Sequence, residues 1–252
     1  MLIHRYIIRA ADFLINLFVI IIIFVAGGYS MYALWDNHQV YEAAENVRED
    51  MLELKPEGEK ESFEQLMEIN SDVVAWLTLD HTNIDDPVLQ GDSNLQYLNM
   101  DVYGEFSLSG SIFLDARCDR SFQDAYSLIY GHHMENGSMF GDLDLYKKEK
   151  FFRKNRTGKL LLPDRVYNLE IVACLTAASS DEIIFEVNKG QSEIDAFVSY
   201  LEHNAQNIRK EQLSSLSGQK DQNIQFLAMS TCSSEYTDAR TVVIAVMKLC
   251  EI

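Results

Sequence analysis

Proline is scarce, with three residues in 252, and no low-complexity run or internal repeat is present, so long disordered arms are not expected. Positive charge is scarce as well: 21 Lys and Arg stand against 39 Asp and Glu, a net charge of -18. An acidic surface repels phosphates, and no basic cluster interrupts it, which excludes nucleic acid as a partner. Cysteine is limited to Cys118, Cys174, Cys232 and Cys250, widely spaced, with no CxxC. Without CxxC or HExxH the spacing of a zinc site is missing, and no metal or other cofactor is expected. No GxSxG elbow occurs, which argues against a serine hydrolase. Hydrophobic residues nevertheless make up 47%, enough for a real core.

The longest uncharged run is "FLINLFVIIIIFVAGGYSMYALW", residues 13–35. A helix of about 20 apolar residues spans a bilayer core. Arg5 and Arg9 precede the run, against Asp12; Asp36, Glu42, Glu45, Glu49 and Asp50 follow it, opposed by Arg48. Positive charge stays inside, so residues 1–12 read as a cytoplasmic tail, 13–35 as a single-pass signal anchor and the remainder as extracytoplasmic. A cleaved signal peptide is the alternative, but the apolar run is too long and continues past its only cluster of small residues.

Residues 37–55 carry apolar side chains at helical spacing, Val40, Tyr41, Ala44, Val47, Met51 and Leu52, and predict a juxtamembrane helix. "KPEGEKE" breaks it, so residues 36–61 form a helix and linker. "SFEQLMEIN" opens a further helix with a capping-box pattern, Ser62 and Gln65. From residue 73 the texture is β: "VVAWLTL", "PVLQ", "GSIFLD", "SLIYGH", "KLLLP", "YNLEIVACLTA", "IQFLAMS" and "TVVIAVMKL" are short runs rich in β-branched, aromatic and leucine residues, separated by turn signals. Two helical inserts interrupt them, "FGDLDLYKKEKFFRKN" and "SEIDAFVSYLEHNAQNIRKEQL". About eight strands without βαβ alternation predict a mostly β fold, an antiparallel sheet or closed barrel with peripheral helices, over residues 62–252.

Cys174 and Cys250 lie in apolar strand-like runs, where a free thiol behaves as a small hydrophobe; disulfides are not the default reading for this exported domain. Cys232 differs. It ends the run "IQFLAMSTC", at a rim, and Arg240 opens the next strand. Sequential antiparallel strands bring those ends together. A thiolate nucleophile needs a proton partner or cationic neighbour and donors for the oxyanion. Arg240 stays charged and can serve the oxyanion but not as a base. The base must come from "IYGHHM", where His132 and His133 point to opposite faces and only one can face a cleft. On the residues alone the chain reads as an exported, anchored β-rich protein and a candidate cysteine enzyme; a cysteine peptidase or acyl hydrolase using water and an anchored surface domain in which Cys232 is inert both stay open.

The combination of "AMSTC", Arg240 and "YGHHM" resembles the sortase family, the cysteine transpeptidases of the Gram-positive cell surface, whose signature is a strand ending in TLxTC, an arginine opening the next strand and a histidine after a glycine at another strand end. The class B branch is the nearest match, through "GSIFLDAR" at 110–117, "YGHHM" where YGHNM is usual, a long helix before the last strands, and "SSEYTDARTVVIA" after the cysteine. The similarity runs over roughly residues 62–250. Ala228 and Met229 replace Thr-Leu, His133 replaces Asn, and Asp86 precedes Pro87 where an aromatic is common; none of these removes a reacting group.

The resemblance implies an eight-stranded β-barrel with an N-terminal helical extension. It further implies that Cys232 attacks a Thr–Gly or Thr–Asn bond in the C-terminal sorting signal of a secreted protein, that His132 serves as proton donor and acceptor, and that Arg240 holds the threonine carbonyl or the oxyanion. The thioacyl chain would pass to an amine of peptidoglycan or its precursor, or to a pilin lysine. Ser230 is expected to line the groove beside Cys232, and Asp115 to orient a neighbour or to cap a turn.

Overall fold

The computed structural model of the chain describes residues 2–56, 60–217, 224–232 and 238–250. Two compact units are present, Met1–Ala43 and Ala44–Ile252. The first is helical throughout its described residues. It belongs to α1, Leu2–Glu53, so the predicted juxtamembrane helix is the last part of one 52-residue helix rather than a separate element. The run 13–35 leaves its large apolar side chains outside, with Phe18 64% and Phe24 77% exposed. It is long and apolar enough to cross a membrane; as a helix it rises about 35 Å, against a bilayer core of about 30 Å. α1 stops because Pro56 disfavours helical geometry at Lys55. Its last carbonyls are taken by short-range bonds, Leu54 N to Met51 O at 2.9 Å and Lys55 N to Leu52 O at 3.3 Å.

The second unit contains the last turns of α1 and everything after them. α2 spans Lys60–Ile69. It begins two residues before Ser62, so Ser62 lies inside the helix and the predicted capping box is not its start. Ala44 and Met51 of α1 and Phe63 and Leu66 of α2 are buried. Met51, Phe63 and Leu66 form one apolar cluster with Val73, Trp76, Leu89, Phe113 and Leu161 of the sheet.

The strands are β1 Val73–Leu79, β2 Asp85–Leu89, β3 Ile112–Leu114, β4 Tyr126–His132, β5 Thr157–Leu161, β6 Val166–Ala178, β7 Asn207–Ile208, β8 Gln225–Cys232 and β9 Ala239–Leu249. Their order is β5-β1-β2-β3-β4-β8-β9-β6, and β6 pairs back onto β5, which closes an eight-stranded barrel; β7 adds two residues at the side of β6. The eight barrel strands are the eight predicted runs. Two pairings are parallel, β2 with β3 and β4 with β8; the others are antiparallel. Closure removes the exposed edges that an open sheet of this size would carry.

The first helical insert resolves into a 3-10 turn over Gly141–Lys147 and α3, Glu149–Lys154. A short α4, Glu182–Phe185, precedes the second insert. That insert is two helices, α5 Gln191–Asn204 and α6 Lys210–Ser217, divided where β7 pairs Ile208 with Ala173 and Asn207 with Cys174.

Candidate active site

The parallel pair β4–β8 brings two strand ends to the same rim. Their register sets Tyr130 against Ser230, Gly131 against Thr231 and His132 against Cys232, and both strands end at that last pair. β9 runs back antiparallel along β8 as far as Ser230 opposite Val242; Arg240 lies two residues further toward the rim, where β9 is paired with β6 and Arg240 stands opposite Ala177. Cys232 and Arg240, close together in the chain, and His132, about a hundred residues earlier, therefore lie at one end of the barrel. The backbone of Cys232 is part of β8, while its side chain and residues 233–237 lie outside the described residues.

Gly131 is required by the packing beneath this rim. A Cβ there would stand 2.8 Å from the Phe140 ring, so a larger residue would displace either Phe140 or the strand end that carries His132. Phe140 N also donates to the His132 carbonyl at 2.9 Å. His132 is half-buried. Burial lowers its pKa, which favours the neutral imidazole at neutral pH. Its Nδ1 has no hydrogen-bond partner among the described residues. His133 takes a different course, with Nε2 3.3 Å from Asp144 Oδ2.

Arg240 is half-buried and lines a groove of about 300 Å³ together with Asn94, Leu95, Leu98, Phe113, Arg117, Tyr130, Ser179 and Phe185. Tyr130 and Phe185 stack with their rings 6.5 Å apart and 7° from parallel, which gives the groove a flat aromatic wall. Asp115 is fully buried and sits behind this wall. Its carboxylate accepts from Arg117 Nε at 3.0 Å and Nη2 at 2.9 Å, from Asn94 Nδ2 at 2.9 Å and from Tyr130 OH at 3.2 Å. Its carbonyl accepts from Cys118 N at 2.9 Å. Asp115 thus both orients neighbours and caps a turn. Burial alone would raise its pKa; the Arg117 and Asn94 hydrogen bonds outweigh that and hold it below the ordinary value. Ser230 is fully buried, donates to Thr231 O at 3.2 Å, and is not among the residues that line the groove. Asn94, Arg117, Tyr130 and Phe185 escaped the sequence reading as a group, although Arg117 lies within the quoted run "GSIFLDAR".

The other three thiols have settings unlike a rim. Cys118 and Cys174 are buried and free, and Cys250 is half-buried. Burial pushes the thiols of Cys118 and Cys174 up to about 12, far from the thiolate that nucleophilic attack needs.

No family model matches the chain. A curated Sortase B of Staphylococcus aureus is 27% identical over 246 residues, covering 94% of this chain and 95% of that protein. Sortase B of Listeria monocytogenes is 29% identical over 220 residues, covering 86% of this chain and 87% of that one. Among solved structures, a class B sortase of Streptococcus pyogenes involved in pilus biogenesis is 37% identical with a TM-score of 0.65; the match covers 74% of this chain and 97% of the streptococcal one. The chain belongs to the class B sortases. It is a cysteine transpeptidase of the cell envelope, and neither the hydrolase nor the inert-domain alternative is favoured. This sortase also matches the Staphylococcus aureus sortase B–substrate complex at 25% identity and a TM-score of 0.67, over 88% of its own length and all of that chain.

Proposed function

We propose that Cys232 is the nucleophile of this class B sortase, with His132 moving protons and Arg240 stabilising the oxyanion. The assignment is supported chiefly by the β4–β8 register, which sets His132 beside Cys232, with Arg240 two residues beyond the last β8–β9 pair at the same end of the barrel. His132, neutral at rest, takes the proton of the Cys232 thiol, and the resulting thiolate adds to the carbonyl carbon of the threonine in a C-terminal sorting signal. The carbonyl oxygen takes the negative charge, and a permanently charged guanidinium beside it lowers the barrier. The C–N bond then breaks, imidazolium His132 gives its proton to the leaving amine, and a thioester remains on Cys232. An incoming amine attacks that thioester and passes its proton to His132; the new amide forms and the thiolate departs.

The donor substrate is a secreted protein bearing a sorting signal, cleaved after threonine, and the groove beside Arg240 and Tyr130 is the surface that would hold its peptide. The acceptor is an amine of peptidoglycan or its precursor, or a pilin lysine; the pilus role of the streptococcal neighbour supports the second choice. Asp115 would act on the donor peptide through Arg117 and Tyr130. The proposed domain limits are those read from the sequence: a cytoplasmic tail over 1–12, an anchor over 13–35, a juxtamembrane helix and linker over 36–61, and an extracytoplasmic catalytic region over 62–252. Such an anchor holds the enzyme where exported substrates and lipid-linked wall precursors both appear.

The test is product analysis of the full chain in detergent with peptides holding Thr-Gly or Thr-Asn bonds. Added triglycine or a lysine peptide should raise turnover and appear in a new amide product. Hydrolysis at an unchanged rate, with no amide product, would return the protein to the hydrolases.

A further inference from the structure

Behind the rim, a second set of polar side chains links the strand ends through the residues next to each proposed catalytic position. Asp144 lies in the 3-10 turn Gly141–Lys147. Its Oδ1 accepts from Thr241 Oγ1 at 2.6 Å and from Lys147 Nζ at 2.8 Å, and its Oδ2 is 3.3 Å from His133 Nε2. Thr241 N donates in turn to Thr231 Oγ1 at 3.1 Å. His133 adjoins His132, Thr241 adjoins Arg240 and Thr231 adjoins Cys232. One carboxylate thereby reaches β9 and the residue that follows β4 directly, and β8 through the Thr241 amide. Thr231 and Thr241 are buried, at 4% and 5% exposure.

The location matters because the ladder gives out there. The last β8–β9 register pair is Ser230 with Val242, so the Thr241 N to Thr231 Oγ1 bond takes over where backbone pairing ends. Beyond that pair each segment keeps a backbone partner on one side alone, β8 on β4 and β9 on β6; strand ends held on one side fray more readily, and transfer chemistry loses rate steeply when reacting groups move by an ångström. We propose that Asp144, acting through Thr241, is a positioning residue for transpeptidation, fixing the rim segments that carry His132, Arg240 and Cys232. This rests on the catalytic assignment above and extends it to residues that touch no substrate.

The experiment compares wild-type chain, Asp144→Ala, Thr241→Val, Thr241→Ser and the Asp144→Ala/Thr241→Val double variant, as full chains in detergent, on whichever Thr-Gly or Thr-Asn peptide the wild type cleaves. Valine matches threonine in shape and lacks the hydroxyl; serine restores it. The expected result is a fall in kcat of about tenfold or more for Asp144→Ala and Thr241→Val with KM little changed. Thr241→Ser should be close to wild type, and the double variant no worse than the weaker single one, because both remove the same bond. If Asp144→Ala fails to fold, the Thr241 pair carries the test alone. Wild-type kcat in Thr241→Val, strictly multiplicative losses in the double variant, or a loss confined to KM would overturn the positioning role. A wild-type chain that cleaves and acylates on no such peptide would overturn the catalytic assignment itself, which separates the two failures.

Discussion

Asp115 and Asp86 are buried acids at neighbouring strands of one barrel, 0% and 5% exposed, and they are kept in opposite ways. Asp115 follows β3 behind the groove, where two guanidinium nitrogens, an amide and a phenol donate to it. Asp86 lies in β2 beneath the last turns of α1, where its carboxylate accepts from Asp85 N at 3.0 Å. Burial raises the pKa of Asp86 to about 7, offset in part by that bond and by the nearby Arg48. The seat of the helix is built from apolar packing of Met51, Phe63, Trp76 and Leu89 and tolerates a costly acid within it. At the groove the packing is supplemented by converging donors, so an ionised group stays cheap and its neighbours stay oriented. Under the proposed assignment, order of the second kind belongs to the peptide groove, while the first holds the domain together.

The largest expected effect separates these regions by the quantity that moves. Arg240→Ala should lower kcat/KM on a sorting peptide by about 10²–10³-fold, as loss of one oxyanion donor does. Arg240→Lys should fall by a similar factor, because a point charge on a flexible stem does not reproduce the planar fork. Thermal melts should barely change. A collapsed melting transition would place Arg240 with the structural residues and erase the contrast between the two regions.

Asp86→Asn should act on the melt and leave turnover alone. An acid whose folded pKa lies near 7 and whose ordinary value is 3.8 binds more protons folded than unfolded between those values. Its burial cost is therefore fully present above pH 7 and shrinks as pH falls toward 4. The substitution should stabilise by up to about 4 kcal/mol at pH 8, with the gain fading by pH 4. Denaturant titrations at the two pH values would measure it, and equal gains at both would remove the charge from the account.

A smaller effect of opposite sign is expected from Asp115→Asn, a loss of about 2 kcal/mol from unpairing the Arg117 side of a buried contact that is partly open to solvent. The folded pKa of Asp115 is depressed, so its contribution is present above pH 4 and lost as the pH falls through the folded value. Stabilisation by Asp115→Asn at pH 7 would mean that the groove corner is organised no differently from the helix seat.

Barrel strands were legible because each buries a run of β-branched, aromatic or leucine side chains that no other element would want at that length. β7 was not, because two residues carry no periodicity; it is set by pairing with Ala173 and Cys174, and it cuts a sequence that reads as one helix. The break after α1 showed in Pro56, whereas the continuity of α1 across residues 36–53 did not, since a change from apolar to amphipathic pattern leaves helix propensity intact. At the site, the proposed roles of Cys232, His132 and Arg240 rest on their strand-end motifs and the family resemblance. Asp144 and Thr241 were not legible in the sequence: 97 residues separate them, both are ordinary types, and only the folded barrel makes them partners. Ser230 was expected in the groove because it precedes Cys232 by two residues, but close packing on both sides of β8 buries it.

The most direct test of the central claim is the intact mass of the full chain after brief exposure to a cleavable sorting peptide without an amine acceptor, followed by peptide mapping. The account predicts an acyl adduct equal to the peptide segment ending in threonine, located on Cys232, released by hydroxylamine and missing in Cys232→Ala, with Cys118, Cys174 and Cys250 unmodified. Turnover by Cys232→Ala, or an adduct on any of the other three cysteines in its place, would contradict it.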